Sequence, residues 1–426
     1  MMLTSRNKGR AFSIFRLKVL CASLLSLILL LQVTVFFAMP IFAEKTGSDC
    51  LAKFNKNGIL YRTNSRLSKA ASLPTQISAQ SAVLLRADTG EILYKHNADA
   101  VRPMASTTKI MTALVALELL SPETPVKIPP EAVGIEGSSI YLTEGEILTL
   151  EELLYALMLS SANDAAVAIA VACSGSVDTF AERMNQKAKD LGLANTHFTN
   201  PHGLDDPNHH TTAYELGLIA REALSHDSLK AIISTKRKTI PHNGDDGVRL
   251  LLNHNKLLAS YDGAVGVKTG FTKKSGRCLV SAASREGITL IAVTLNAPDD
   301  WHDHTALLDY GFSLYEQITL CTDGELEIPL PVVGGDDVYV MIKNRETLTM
   351  TLPKKRGSVI SVVELPRFVY APVGDQQHMG DLVFYEALPD GTWAELGRIP
   401  LITQYSVDAP EYKKSLLEKL ADFFGF

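Results

Sequence analysis

Cysteine is scarce: the chain of 426 residues holds 5, at positions 21, 50, 173, 278 and 321, and no two of them form a Cys-x-x-Cys pair. A disulfide scaffold and a cysteine-rich zinc site are thereby excluded. Cys50, Cys173, Cys278 and Cys321 read as packed thiols, although spacing alone leaves a disulfide among them open. No block of lysine and arginine stands in the body of the chain, and the net charge is -6, so no basic field exists to hold nucleic acid. No His-Glu-x-x-His or comparable set accompanies His202, His209, His210 or the His302-Asp-His304 cluster. They read as surface or loop histidines, and neither a metal nor a cofactor is expected. There is no clear internal repeat. Long hydrophobic runs are absent apart from one at the N-terminus.

That run extends from Val19 to Phe42, interrupted only by Ser23, Ser26, Gln32, Thr34 and Pro40, and follows Arg6, Lys8, Arg10, Arg16 and Lys18. Cationic residues before an apolar stretch mark an export segment. Ala43 offers a cleavage point, yet a run of roughly 20 residues is also long enough to span a bilayer uncut. Residues 1–43 are therefore expected to be a signal peptide or a signal anchor, with everything after Glu44 delivered outside the cytoplasmic membrane. Residues 44–76 are polar and lack periodicity, which reads as a spacer.

Two folded units are expected, as the length allows. In the first, residues 77–320, Ser81 to Arg86 and Ile92 to Tyr94 flank an Asp88-Thr-Gly turn as short strands. Helices follow: an apolar run from Thr107 to Leu120, a capping-box start at Thr149-Leu-Glu-Glu152, a third from about Asp164 to Ala172, and an amphipathic one from Ser176 to Leu191 that stops at Gly192. Cys278 to Ala283 and Thr289 to Asn296 form a second hairpin, covered by a helix from Trp301 to Tyr315. Strands at both ends of a helical middle imply an α+β domain whose sheet is completed by distant parts of the chain. In the second unit, residues 321–405, short runs such as Val338 to Ile342, Leu348 to Leu352, Val359 to Val363 and Leu382 to Tyr385 predict a small all-β domain. Residues 406–426 end in a segment, Glu411 to Phe426, with Tyr412, Leu416, Leu417, Leu420, Phe423 and Phe424 on one helical face and Lys413, Lys414 and Lys419 among the polar positions. That pattern suits a helix lying on a membrane surface or packed on its own protein.

Three short motifs carry chemistry together. Ser106-Thr-Thr-Lys109 sets a hydroxyl and an amine one turn apart at a helix start, and a lysine kept neutral by burial can serve a serine nucleophile as base. Ser161-Ala-Asn163 lies at a break between two helices, where the serine can relay a proton and the asparagine can bond a substrate amide. Lys268-Thr-Gly270 precedes the second hairpin and reads as an edge strand lining a cleft. There the lysine supplies a fixed positive charge, the threonine a hydroxyl for a substrate carboxylate, and the glycine lets a peptide lie close. Each motif alone has a bland explanation: chance, a helix cap, a surface turn.

In this order the motifs match the signature of penicillin-binding proteins and serine β-lactamases. The flanking text, Met104-Ala-Ser-Thr-Thr-Lys-Ile-Met-Thr-Ala113, Leu159-Ser-Ser-Ala-Asn-Asp-Ala165, Asn195-Thr-His-Phe-Thr-Asn-Pro-His-Gly-Leu-Asp205 and Gly266-Val-Lys-Thr-Gly-Phe-Thr272, resembles low-molecular-mass D-alanyl-D-alanine carboxypeptidases of the S11 peptidase family. The resemblance spans about residues 77 to 405 and extends to a C-terminal amphipathic helix. It implies a transpeptidase-like α+β domain and release of the terminal D-alanine from peptidoglycan stem peptides. Ser106 would be the nucleophile, Lys109 the base and Ser161 the relay. Asn163, Lys268, Thr269 and Gly270 would hold substrate, and the backbone N–H groups of Ser106 and Phe271 would form the oxyanion hole. β-Lactams would acylate Ser106. Some relatives have histidine at the position of Phe271 and arginine at that of His254, so side-chain roles there do not carry over.

Other readings remain. A class A β-lactamase adds a Glu-x-x-Leu-Asn loop between the second and third motifs, and no such segment lies between Asn163 and Lys268. A DD-endopeptidase acting on cross-links would use the same groups. A non-enzymatic wall scaffold is opposed by the intact Ser106, Lys109, Ser161, Asn163 and Lys268.

Overall fold

A computed structural model describes residues 53–54, 60–61, 76–242 and 247–411. The expected export segment and, from Tyr412 on, the segment expected to be an amphipathic helix lie outside the described residues. Within the expected spacer, Lys53–Phe54 and Leu60–Tyr61 pair as two short antiparallel strands.

The centre of the first unit is a five-stranded antiparallel sheet. Its strands are β1 (Ser81–Arg86), β2 (Ile92–His96), β3 (Ala264–Thr272), β4 (Gly276–Arg285) and β5 (Ile288–Leu295), in the spatial order β2-β1-β5-β4-β3. Alternate side chains leave a strand on opposite faces, and here both faces are buried. Val83, Leu85, Ile291 and Val293 pack into one core with the helices, whereas Ala82, Leu84, Leu290 and Ala292 pack on the opposite face with Leu307 and Leu308 of the helix that covers it. This accounts for the continuous apolar runs of β1 and β5. Each such fully buried leucine or isoleucine contributes about 1.5–3 kcal/mol. The β4–β5 hairpin turns on Glu286 (φ 49) and Gly287 (φ 81), a two-residue loop with both residues left-handed, which matches the twist of the flanking strands.

Five helices answer to the sequence reading: α1 (Lys109–Leu119), α2 (Leu150–Leu159), α3 (Asn163–Ser174), α4 (Val177–Asp190) and α6 (Asp300–Ser313). A further one, α5 (Ala213–Ser225), and the shorter helices Asp227–Ser234 and Leu257–Ser260 were not foreseen. Thr149 and Glu152 form the expected capping box at the start of α2. The helix expected from Thr107 begins differently: Ala105–Thr108 is a 3-10 turn, and regular α-helix starts at Lys109. A hairpin of Arg237–His242 with Gly247–Leu252 was not foreseen. Its strands alternate between exposed and buried side chains, and Pro241 interrupts the usual strand signal.

The second core is all-β and gathers Leu330, Val340, Ile342, Leu382, Phe384, Ile399 and Leu401. Its main sheet has six strands. Four of the anticipated runs are strands, but Glu327–Val333 and Trp393–Thr403 were not anticipated. Pro329 and Pro331 in the first of these, and Gly397 and Pro400 in the second, hide the pattern. The expected boundary at 320/321 cuts through the strand Tyr315–Cys321, whose Leu320 and Cys321 both belong to the second core.

Asp303 in α6 ties the start of the folded unit to that helix: it accepts from the Ser78 N–H (2.8 Å), the Ser78 hydroxyl (2.8 Å) and the Ala79 N–H (2.9 Å). Asp303→Ala leaves those donors without a partner, and a loss of about 2–3 kcal/mol is expected. Urea denaturation followed by circular dichroism measures it; a loss under about 0.5 kcal/mol contradicts this role.

Candidate active site

The nucleophile turn is built from local hydrogen bonds. The Thr107 hydroxyl donates to the Met104 carbonyl (2.6 Å) and the Thr108 hydroxyl to the Ala105 carbonyl (2.7 Å). In a 3-10 turn the side chains at i and i+3 eclipse, so Ser106 and Lys109 point the same way, and Lys109 Nζ lies 2.9 Å from Ser106 Oγ. Ala105, immediately before the serine, sits at φ 48, a left-handed conformation that costs a non-glycine residue about 1–3 kcal/mol and must be imposed by its surroundings. Two elements impose it. A Cβ on Gly203 would stand 2.0 Å from the Ala105 carbonyl oxygen, so only glycine lets the 199–204 loop close over that carbonyl. Behind Thr108, His209 Nε2 lies 2.7 Å from its hydroxyl, while His209 Nδ1 accepts the Thr199 N–H at 3.0 Å. An N–H can only donate, so the ring is the neutral Nε2–H tautomer. Burial agrees, pushing the His209 pKa down to about 4.

Lys109 is fully buried. Besides Ser106, its Nζ donates to Asn163 Oδ1 (2.7 Å) and to the His202 carbonyl (2.7 Å). Burial, followed by the nearby positive charge of Lys268, lowers its pKa well below the ordinary 10.5, against a smaller opposing effect of Asp164. A neutral amine has two N–H bonds and one lone pair. Two partners that can only accept take the two N–H bonds, which leaves the lone pair for the serine hydroxyl.

The second motif lies at the break between α2 and α3. Ser161, at φ 58, is 5% exposed and lines the cleft. Asn163 Nδ2 donates to the Glu136 carbonyl (2.6 Å) and its backbone N–H to the Ser138 carbonyl (2.7 Å). With Oδ1 on Lys109, Asn163 holds the amine in place and joins it to the 136–142 loop. These protein contacts come in addition to the substrate-amide role expected of Asn163, for which one donor and one acceptor lone pair of its side chain are left over. Asp164 fastens the same loop, accepting from the Ser139 hydroxyl (2.6 Å) and from the N–H groups of Ile140 (3.1 Å) and Leu142 (3.0 Å).

The third motif is on β3, an edge strand of the sheet as expected. A Cβ on Gly270 would lie 3.0 Å from the Ser106 backbone nitrogen and 3.1 Å from that of Thr107. Glycine thus lets the strand and the nucleophile turn face each other. Between them opens a cleft of about 620 Å³, lined by Ser106, Ser161, Thr269, Gly270 and Phe271, with His254 and Arg277 among its further walls. Lys268 is buried behind it, 1% exposed, with Nζ donating to the Thr269 carbonyl at 3.1 Å. Burial pushes its pKa down to about 7. The positive charge expected from the sequence is therefore one that burial, which disfavours the ammonium form, brings to titrate near neutrality.

A family model for D-alanyl-D-alanine carboxypeptidase, peptidase S11, matches residues 67–299. The chain belongs to this family. It is 34% identical over 315 residues to the D-alanyl-D-alanine carboxypeptidase DacF of Bacillus subtilis, covering 72% of this chain and 81% of DacF. Penicillin-binding protein 5 of Haemophilus influenzae superposes with a TM-score of 0.56 at 30% identity, over 79% of this chain and all (100%) of that one. A variant of the Streptomyces K15 DD-transpeptidase superposes with a TM-score of 0.54 at 35% identity, over 57% of this chain and 100% of that one. The family match begins within the expected spacer.

All the motif residues of this S11 enzyme converge on one place. The sequence did not reveal what surrounds them. His209 and His304 are not surface residues; they are 3% and 0% exposed. His209 supports the nucleophile turn, and His304, with Nε2 2.9 Å from the Thr294 hydroxyl, is packed under the sheet. Among the described residues no three of His, Cys, Asp and Glu are placed to hold a metal. Arg277 and Asp300 at the cleft also carried no local signal. Cys173 and Cys278 are free thiols.

The depressed Lys268 has a consequence for stability. Between pH about 7 and 10.5 the unfolded chain binds a proton that the folded chain lacks, so stability rises with pH across that window and falls as pH drops through about 7. Lys268→Met removes that proton, and with it part of the pressure on Lys109. Its stability should depend less steeply on pH between 7 and 10, by about 1.4 kcal/mol per pH unit at most. Urea midpoints of both proteins against pH test this; parallel curves contradict it.

Proposed function

We propose that the chain is an exported serine D-Ala-D-Ala carboxypeptidase that removes the terminal D-alanine from peptidoglycan stem peptides through an acyl-enzyme on Ser106. The observation that carries this reading is the amine of Lys109, 2.9 Å from Ser106 Oγ with its other contacts on two acceptors. The Ser106 hydroxyl gives its proton to the Lys109 lone pair as Oγ attacks the carbonyl carbon of the D-Ala–D-Ala bond. The oxyanion is received by the backbone N–H groups of Ser106 and Phe271. Ser161 passes the proton from Lys109 to the leaving nitrogen, the C–N bond breaks and D-alanine departs. Water then attacks the ester, yielding a proton to Lys109, and the shortened peptide leaves as Oγ is reprotonated. Thr269 and Lys268 receive the substrate carboxylate, whose charge draws Lys268 back toward its protonated form.

β-Lactams, with a strained amide where the peptide bond would lie, acylate the same hydroxyl. The missing Glu-x-x-Leu-Asn segment favours slow release of that adduct. A second reading, transfer of the acyl group to an amine, is suggested by the likeness to a protein described as a DD-transpeptidase. Cross-link cleavage would use the same residues.

The export signal in residues 1–43 supports placement on the outer face of the cytoplasmic membrane, with Glu411 to Phe426 as a second attachment. Removal of 411–426 should shift the protein from the membrane to the soluble fraction; an unchanged membrane fraction would assign the anchoring to residues 1–43.

The chemistry is tested by mass spectrometry. Wild-type protein should gain the mass of one penicillin on the peptide holding Ser106, and should release D-alanine from a purified pentapeptide. Ser106→Ala should do neither, and Lys109→Arg should acylate about 10²–10⁴-fold more slowly. An adduct on Ser106→Ala would refute the assignment. Product masses also separate hydrolysis from transfer and stem trimming from cross-link cleavage.

A further inference from the structure

Arg277 lines the cleft that holds Ser106 and Thr269, yet none of the three motifs includes it. In the sheet register Arg277 on β4 stands opposite Phe271 on β3, and Leu279 opposite Thr269. Side chains two apart on a strand share a face, and directly opposed pairs share it too. Thr269, Phe271 and Arg277 therefore lie on one face of the sheet edge, with Arg277 diagonal to Thr269 and within reach of a long side chain.

The guanidinium is held in place. Its Nε and Nη2 both donate to Asp300 Oδ1, at 3.0 and 2.7 Å, and its Cζ lies 5.7 Å from the centroid of the Trp301 ring. The Asp300 side chain is 3% exposed, whereas that of Arg277 remains 42% exposed. Of the five N–H bonds of an arginine, two are used on Asp300 and three remain. A planar group fixed on one edge, with its other edge open to the cleft, is suited to paired hydrogen bonds with a carboxylate.

We propose that Arg277 is a specificity residue that receives the free carboxylate at the C-terminal end of the substrate, alongside Thr269. This rests on the carboxypeptidase reading above. Lys256 also lines the cleft, and two further basic groups near that position are less constant: Lys268 titrates near neutrality, and burial with the neighbouring Lys268 keeps His254 below its usual value. A guanidinium keeps its charge throughout the working pH range. The pair with Asp300 orients it and tempers its charge, so a neutral C-terminus is not repelled but gains nothing from it. Discrimination then falls on substrates whose last residue is unblocked, as removal of a terminal residue requires.

The test compares two acylating probes on the full chain: benzylpenicillin, whose ring carboxylate stands for that of the terminal D-alanine, and its methyl ester. Second-order acylation rates are read by intact mass. Arg277→Leu should slow the acid by about 10- to 100-fold, the effect of one charged hydrogen-bonding pair, while the ester changes less than about threefold, within the scatter of a weak surface effect. Arg277→Lys, which keeps a cation beside Asp300 but loses the fork, serves if the leucine variant does not fold. There the acid should lose at least about threefold more than the ester, because a lysine meets a carboxylate at one point only. Equal losses for the two probes, the mark of a merely structural pairing with Asp300, overturn the inference; so does no loss for either. If wild-type protein is acylated by neither probe, it is the acyl-enzyme reading itself that fails.

Discussion

A lysine amine sealed inside the protein is the constraint on which the site depends. Burying an ammonium is costly, and the usual escape is loss of its proton. Lys109 makes that escape useful, because the Asn163 side-chain carbonyl oxygen and the His202 carbonyl accept its N–H bonds and orient what remains toward Ser106. Three separate stretches of chain must meet within one hydrogen-bond length for this to work. The supporting contacts follow from that need: Asp164 pins the 136–142 loop, Thr112 Oγ1 donates to the Pro201 carbonyl at 2.6 Å to pin the 199–204 loop, and His209 fixes Thr108. Lys268 is a second buried amine, and its positive charge adds to the effect of burial in lowering the Lys109 pKa.

Backbone strain is present in the same place. Ala105 and Ser161, each next to or part of a chemically active position, have φ of 48 and 58. Each costs about 1–3 kcal/mol, a sum that a core built on both faces of a central sheet can bear. Strain of this kind marks residues whose conformation is dictated by neighbours rather than by their own preference. Ala105 is dictated by Gly203 and by the Thr108–His209 pair; Ser161 by the abrupt change from α2 to α3.

The parts of this arrangement that were legible in the sequence are those written in local chemistry. Helix periodicity, the Thr149–Glu152 box and the order of the three motifs depend on neighbours in the chain, and each has its counterpart in the structure. The edge position of Lys268-Thr269-Gly270 was also legible, from the hairpin that follows it. What escaped depends on pairing across long separations. Nothing near His209 says that its ring meets Thr108, 101 residues away. Nothing near Arg277 says that it will face Phe271 across a strand pair, since a shift of one residue would turn it to the other face. The second task of Asn163, holding the buried amine of Lys109, was hidden for a related reason: the two residues are far apart in the chain. Lys268 looked like a fixed charge because sequence carries no measure of burial.

The position of the cleft at a sheet edge has its own logic. Inner strands of this sheet have both neighbours and both faces occupied, whereas β3 has one side with no partner strand among the described residues. An exposed edge is a hazard, since it can pair with any extended chain, but the same property is what a peptidase for a linear stem needs: an extended peptide can lie along it through main-chain hydrogen bonds. Gly270 brings that edge against the Ser106 turn, so a peptide laid along β3 passes directly over the hydroxyl. The end of such a peptide must then be recognised beyond the scissile bond, on side chains that share a sheet face at the edge. Thr269 and Arg277 are placed there by register alone, which makes the alignment of β3 with β4 a determinant of what the enzyme accepts.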